Sequence, residues 1–180
     1  MGVFKNFKNV FYNSAIKKAE KSKKSVKREM INIDLSKKVG IIFNATKTNE
    51  VITVTQFSDL LKKENKEVFI LGYQDRTLKE ETDNRLFDNK SVNWFGIPSD
   101  SKIEEFQKLN LDILICAFEE ECLPLEYIAA TSKAKFRVGA FSSAKTNYYE
   151  LMININKKHD LAYLLNQILH FLKAINKDVR

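Results

Sequence analysis

Short stretches of continuous apolar and β-branched residues are the feature that most constrains the fold of this 180-residue chain. Five of them lie near residues 39–45, 67–73, 91–95, 111–117 and 136–141, and a sixth spans residues 150–155. Strands with one wet face alternate apolar and polar residues, whereas strands covered on both faces form continuous apolar runs. The pattern therefore favours a mostly parallel sheet of five or six strands.

Segments with helical periodicity separate these runs. Apolar residues recur every three or four positions over 51–64, 101–109, 125–133 and 161–175, and suitable N-caps precede two of these segments, at Ser99 or Asp100 and at Asp160. Strands that alternate with helices through right-handed crossovers predict an α/β fold, a three-layer Rossmann-like sandwich. Because no Pro-, Gly- or Ser-rich linker interrupts it, we expect residues 38–180 to form a single α/β domain.

Positive charge is concentrated at the amino terminus. Residues 1–38 hold 11 Lys and Arg against three acids, whereas the other 142 residues hold 19 basic and 20 acidic side chains, and the whole chain carries +7. Phe4, Phe7, Phe11 and Ala15 recur at helical spacing, which predicts a basic amphipathic helix over about residues 4–28. We therefore interpret residues 1–37 as a basic helical arm in front of the domain.

Such an asymmetry of charge is typical of a chain that binds a polyanion. We expect a non-catalytic cytoplasmic protein whose arm docks on RNA or the ribosome, because lysine binds phosphate as a point charge. A solvated helix, or a peripheral membrane helix with its aromatic residues inserted, would share the same pattern. The predicted polyanion-binding residues are Lys5, Lys8, Lys17, Lys18, Lys21, Lys23, Lys24, Lys27 and Arg28.

The cytoplasmic expectation depends on three absences in the sequence. No apolar run is long enough to span a bilayer, the first residues lack the apolar core of a secretory signal, and two cysteines without close spacing suit a reducing compartment.

Polar residues follow the predicted strands at the edge where sheets of this kind bind ligands. A small-molecule enzyme, or the remnant of one, acting on a sugar- or nucleotide-type substrate is therefore a second functional hypothesis, with Asp75 and Glu119 or Glu120 in the catalytic role. Ordinary polar loops and helix caps explain the same residues more simply. The predicted pocket residues are Asn44, Thr46, Lys47, Asp75, Arg76, Ser99, Glu119 and Glu120.

Motifs for nucleotides, metals and nucleophiles are absent from the sequence. The five glycines are never clustered, and neither histidine has a Cys or a carboxylate at ligand spacing. Cys116 falls within an apolar strand, and Cys122 follows three glutamates that oppose a low thiol pKa. We therefore expect no cofactor and no metal, and we expect Trp94 to lie in the core.

Four segments carry a resemblance to known proteins. Asp112-Ile-Leu-Ile and the stretch from Pro124 to Gly139, with Asn93-Trp-Phe-Gly and the Lys-rich amino terminus, resemble an uncharacterised family of Bacteroidota proteins over nearly the whole chain. The resemblance implies a cytoplasmic bacterial protein with a domain of unknown function. The unit from Asp112 to Gly139 is also similar to one in the amino-terminal half of heptosyltransferase-like glycosyltransferases, which implies the fold only.

Overall fold

The sheet is parallel throughout. The computed structural model describes residues 10–18, 26–75, 83–143, 147–155 and 160–175. Within these ranges six strands form one sheet in the order β3-β2-β1-β4-β5-β6, and every neighbouring pair is parallel. The strands are β1 Lys38–Asn44, β2 Glu67–Gln74, β3 Leu86–Asp88, β4 Ile113–Ala117, β5 Phe136–Ala140 and β6 Leu151–Ile153. The predicted α/β, Rossmann-like architecture is therefore confirmed.

Helices cover both faces of this sheet. In the described part of the chain they are α1 (residues 10–18), α2 Thr48–Lys63, α3 Ser101–Lys108, α4 Leu123–Thr131 and α5 Leu161–Ala174, with short 3-10 turns at Ile33–Leu35 and Asn89–Ser91. Apolar side chains of α2 and α5 share one core cluster, and those of α3 and α4 share another. The sheet lies between the two clusters, which makes the predicted three layers.

Alternate residues of the central strands enter opposite clusters. In β1, Ile41 joins the cluster under α2 and α5, while its neighbour Ile42 joins the one under α3 and α4. In β4, Ile115 and Leu114 divide in the same way. Because successive strand side chains point to opposite faces, a sheet covered on both sides needs an unbroken apolar run, as the sequence has.

Two predicted caps are confirmed. Asp100 Oδ1 accepts a hydrogen bond from Lys102 N at 2.9 Å and begins α3. Asp160 Oδ1 accepts from Ala162 N at 2.8 Å and from Tyr163 N at 3.3 Å and begins α5. Each carboxylate satisfies backbone N–H groups that have no partner inside the helix.

The predicted third strand is wrong in position. The sheet uses Leu86–Asp88, whereas Val92 makes only an isolated bridge to Pro98 in the loop that follows. Trp94, expected in the core, is 81% exposed in that loop. The sequence pattern favoured residues 91–95 because they are apolar, but the three residues of β3 pair with β2 through backbone groups that any residue supplies.

The amino-terminal helix also differs from the prediction. Residues 10–18 are helical, but residues 26–28 are not, so the helix ends before the predicted position. Ile33 is fully buried in the core beneath α5, and Asn32 Nδ2 donates to Ile175 O at 2.7 Å. The segment that leads into β1 is thus part of the folded body.

Candidate functional site

A cavity of about 590 Å³ opens at the carboxyl ends of the strands. It lies where β1 and β4 are neighbours, the point at which the winding of the sheet reverses. Strand order 3-2-1-4-5-6 places ligands at this point in doubly wound folds, because the loops after the two strands diverge there. We call this cavity the switch-point cleft; its lining residues are Asn44, Thr46, Lys47, Glu50, Ala117, Phe118, Glu119, Glu120, Ala140, Phe141, Asn154, Ile155 and Leu161.

The cleft has an apolar floor, and its walls carry both polar and apolar side chains. Ala117 and Ala140 are buried at the ends of β4 and β5, and their short side chains leave room above the strands. Asn44 ends β1, and its Oδ1 accepts hydrogen bonds from Thr46 N at 3.0 Å and Thr46 Oγ1 at 2.6 Å, which shapes the following loop. Phe141 lies at the wall and is 53% exposed.

Three carboxylates and one ammonium group line the cleft. Burial raises the pKa of Glu50; Lys47 opposes the increase, while Glu120 and Glu119 add to it. Lys47 Nζ lies 3.8 Å from Glu50 Oε1. Because the negative groups outnumber the positive one, the cleft favours a ligand that donates hydrogen bonds or carries positive charge over a phosphate. Glu50 is a site residue that the sequence analysis missed, since it lies in the first turn of α2 and not directly after a strand.

Five of the eight predicted pocket residues come together in this cleft. Asn44, Thr46, Lys47, Glu119 and Glu120 line it. Asp75 lies beyond the end of β2, on the far side of β1, where its Oδ1 accepts from Asn89 Nδ2 at 3.0 Å. Ser99 precedes α3, its N–H donating to Ser91 O at 2.8 Å, and Arg76 lies outside the described residues.

Helix α2 begins without a side-chain cap. It starts at Thr48, and its N-cap residue, Lys47, makes no side-chain capping bond. The Lys47 side chain therefore accepts no hydrogen bond from the first N–H groups of α2. Their partial positive charge is small beside the three carboxylates of the cleft.

Helix α1 packs against α4. Tyr12 and Ile16 are 3% and 4% exposed and form a small apolar cluster with Ala130. Tyr12 Oη donates a hydrogen bond of 2.7 Å to Leu123 O. The buried face of the helix is thus formed by Tyr12 and Ile16, not by the predicted Phe11 stripe; Phe4 and Phe7 lie outside the described residues.

The predicted polyanion-binding residues fall into three groups. Lys17 and Lys18 on α1 are exposed, as is Lys27. Arg28 instead contacts the body: its guanidinium donates to Ser132 O at 3.0 Å and to Ala134 O, and its Nε lies 3.8 Å from Glu150 Oε1. The remaining residues, Lys5, Lys8, Lys21, Lys23 and Lys24, lie outside the described ranges.

Aromatic side chains cluster beside α1. The rings of Phe11 and Phe95 are stacked, with centroids 5.0 Å apart and planes at 22°. Phe11 is 45% exposed, and Trp94, adjacent to Phe95 in the chain, is 81% exposed. We call Phe11, Trp94 and Phe95 the aromatic surface.

The described residues include neither a metal-binding cluster nor a membrane-spanning helix. No three His, Cys, Asp or Glu side chains there come together in a group that could hold a metal ion. None of the helices in the same ranges combines the length and apolar character needed to cross a bilayer.

Comparison with known proteins identifies the family. A search of curated proteins gave no match. A family model matches residues 8–175, which includes α1 and every strand of the sheet. The chain therefore belongs to DUF6913, a family of unknown function.

Proposed function

We propose that this protein is a non-catalytic binding protein that docks on RNA, of which the ribosome is the most abundant source, through its basic amino-terminal segment. The observation that carries the proposal is the excess of eight positive charges in residues 1–38, beside a body with 19 basic and 20 acidic side chains. A nearly neutral body cannot cancel that local potential.

The placement of α1 supports this proposal. Tyr12 and Ile16 hold the helix on the body, so the exposed Lys17 and Lys18 are presented from a fixed position. Lysines held on an anchored helix lose less conformational entropy on binding than lysines of a free tail. Arg28 is already engaged by Glu150 and two carbonyl groups, so we assign the docking role to the lysines.

The salt dependence of RNA binding tests the proposal. If about five lysines contact phosphates, the logarithm of affinity should fall against the logarithm of salt concentration with a slope of about −3.5 to −4.5. Replacing Lys17, Lys18, Lys21, Lys23 and Lys24 with Gln should flatten this slope while the circular dichroism and melting temperature of the body stay unchanged. Binding would be measured by fluorescence anisotropy of a labelled single-stranded RNA.

A matched variant controls for net charge. Lys62, Lys63, Lys90, Lys108 and Lys133 are five exposed lysines of the body, and their replacement with Gln removes the same charge. We expect this control to retain most of the slope. Equal flattening by the two variants would mean that net charge, not the amino-terminal segment, is responsible, and would overturn the proposal.

The switch-point cleft favours a second candidate function, binding or conversion of a small molecule. Its volume of about 590 Å³ suits a small ligand, and its position at the winding reversal is the usual one for this fold. Because Asp75 lies across β1 from Glu119 and Glu120, the carboxylates available to a ligand are those of Glu50, Glu119 and Glu120. Polyols and amines are the ligand classes that such carboxylates would bind, as hydrogen-bond acceptors.

A ligand screen tests this second function. Small polyols and amines are added to the protein, and a rise in melting temperature reports binding. Glu120→Gln should remove the rise, whereas Glu121→Gln should keep it, because Glu121 is an exposed neighbour that does not line the cleft. A rise that survives in Glu120→Gln and in Glu119→Gln would exclude the cleft as the binding site.

The finer features that the resemblance implies remain predictions. These are a source among the Bacteroidota, the likeness of the Asp112 to Gly139 unit to heptosyltransferase-like glycosyltransferases, and a cytoplasmic location. Cys116 and Cys122 are both buried and form no disulfide, which supports a reducing compartment.

A further inference from the structure

Trp94 is the most exposed large apolar side chain in the described part of the chain. It is 81% exposed, although burial of a Trp side chain is among the largest hydrophobic gains available to a fold. Val10, at 65%, and Phe11, at 45%, are also exposed, and Phe11 reaches the loop of Trp94 by stacking on Phe95. Exposed apolar side chains therefore lie on two elements that contact each other through Phe11 and Phe95, and such a patch typically marks a binding surface.

The loop that presents Trp94 is well fixed. Asn93 Oδ1 accepts hydrogen bonds from Phe95 N at 3.0 Å and Ile97 N at 3.1 Å, and Asn93 N donates to Ile97 O at 3.0 Å. Gly96 lies against Leu123, the first residue of α4. The fixed loop presents the Trp94 indole to solvent from a defined backbone position, so less loop entropy is lost on binding.

Charge next to this surface selects the partner. Lys17 and Lys18 are exposed on the same helix as Phe11. Lys18, seven residues further along, lies on the face of Phe11 at roughly 10.5 Å along the axis, whereas Lys17 lies about 120° around the helix from it. Exposed aromatic rings beside exposed lysines match the two parts of a single-stranded nucleic acid, since bases stack on rings while phosphates bind cations. A duplex presents no free base faces, and so it matches only the lysines.

The described helix fits a membrane surface less well. An interfacial helix buries a continuous apolar face in the lipid. In α1 that face, Tyr12 and Ile16, is already buried against the body. The exposed rings that remain form a small patch suited to a few bases.

We infer that Trp94, with Phe11 and Phe95, forms a stacking surface for unpaired bases of single-stranded RNA. The inference rests on the RNA-binding function proposed above and adds the contact that distinguishes single strands from duplexes. Stacking tolerates any base, because every base has a π-face. The surface therefore binds without strong sequence preference.

Trp94 provides its own probe, because it is the single tryptophan of the chain. The experiment titrates the full-length protein with an unlabelled single-stranded RNA of about 12 nucleotides and with the duplex of the same sequence. The single strand should quench Trp94 emission with saturation, and the duplex should leave the emission unchanged. Emission that does not respond to a single strand bound at the same concentrations would overturn the inference.

Variants separate stacking from electrostatics. Trp94→Ala should weaken single-strand binding roughly 5-fold to 150-fold, as expected for the loss of one stacked base. Its salt slope should match that of the parent, because no charge is removed. Trp94→Phe keeps a ring and should bind within a few-fold of the parent. Phe171→Ala, which removes another exposed ring on α5, serves as the control and should bind as the parent does.

Each remaining outcome has one meaning. If RNA binds with the expected salt slope but Trp94→Ala binds equally well, the stacking inference fails and the proposed function stands. If no RNA binds at any salt concentration, both fail.

Quenching or a blue shift of Trp94 with anionic vesicles and not with RNA would assign the surface to a membrane. A dimer in sedimentation that Trp94→Ala dissociates would assign it to a second copy of the chain; either result overturns the inference.

Discussion

Arg137 and Glu150 form a bidentate ion pair that joins β5 to the residue directly before β6. Arg137 Nη2 donates to Glu150 Oε1 at 2.7 Å and Arg137 Nε donates to Glu150 Oε2 at 3.0 Å. The Arg137 side chain is 7% exposed, and its Nη1 also donates to Ala129 O and Ala130 O at the end of α4. Because Arg28 Nε lies 3.8 Å from the same glutamate, this pair also connects the amino-terminal segment to β5.

Removing the glutamate should destabilise the fold strongly. Glu150→Ala leaves the buried Arg137 charge without its partner, and such a loss costs about 3–5 kcal/mol. Asp59→Ala removes one partner of an exposed pair, Asp59 with Lys62 at 3.3 Å, and should cost less than about 1 kcal/mol. Urea unfolding at neutral pH measures both. Equal losses in the two variants would contradict the importance of the buried pair.

Asp112 should contribute stability that is lost in acid. Burial alone would raise the pKa of Asp112, but hydrogen bonds from Lys38 N, the Lys135 ammonium and Lys37 N together hold that pKa below its usual value. The distances from Asp112 are 3.0 Å, 2.9 Å and 2.9 Å, respectively. A carboxylate whose pKa is depressed by folding stabilises the native state above its unfolded pKa, and this contribution disappears as the pH falls through the folded pKa.

Asp112→Asn tests this relationship. We expect a loss of about 1–3 kcal/mol in the free energy of unfolding at neutral pH, because hydrogen bonds to a charged acceptor are weakened. The difference from the parent should shrink as the pH falls below about 4, because Asp112 is then protonated in the unfolded state first and in the native state only at lower pH. A difference that is constant between neutral pH and strong acid would show that the charge of Asp112 has no part in it.

Tyr12 should control the attachment of α1. Tyr12→Phe removes the hydrogen bond to Leu123 O and should cost about 1 kcal/mol of local stability. Tyr12→Ala also leaves a gap beside Ile16 and Ala130 and should release the helix from α4. Hydrogen exchange of the backbone amides of residues 10–18 measures this release. The amides of β1 and β4 are the internal control and should keep their protection.

Gly96 should maintain the position of Trp94. Its φ is +86°, a backbone conformation that side-chain-bearing residues adopt only with strain, and an added Cβ would lie 2.9 Å from Leu123 Cβ. Gly96→Ala should therefore lower stability by about 1–3 kcal/mol and loosen the loop.

Tryptophan anisotropy distinguishes this local effect from a general one. In Gly96→Ala the anisotropy of Trp94 emission should fall, because the indole gains freedom. Gly40→Ala places a Cβ 2.5 Å from Leu111 Cδ1 in the core, so it is also destabilising but distant in the chain from the loop. If Gly40→Ala lowers the anisotropy of the native protein as much, Gly96 has no specific role.

Local sequence was sufficient for most elements of the fold. The runs at β1, β2, β4 and β5, the caps Asp100 and Asp160, and the apolar face of α5 were predictable, because each depends on side chains a few residues apart. The edge strand β3 was not predictable in this way, since three residues cannot establish a period. The prediction that Trp94 lies in the core is wrong because the local sequence does not show which side chains of a loop face solvent.

What the sequence by itself determined, then, is the fold class, the layer arrangement and the separation of a basic amino terminus from a neutral body. Only the tertiary structure decided that β1 and β4 are neighbours, which brings Asn44 and Lys47 to Glu119 and Glu120 and excludes Asp75. It also decided that Tyr12, not Phe11, buries the helix. The physical reason is that burial and pairing are properties of two surfaces in contact: a residue pattern specifies one surface, and its partner is supplied by segments distant in the chain.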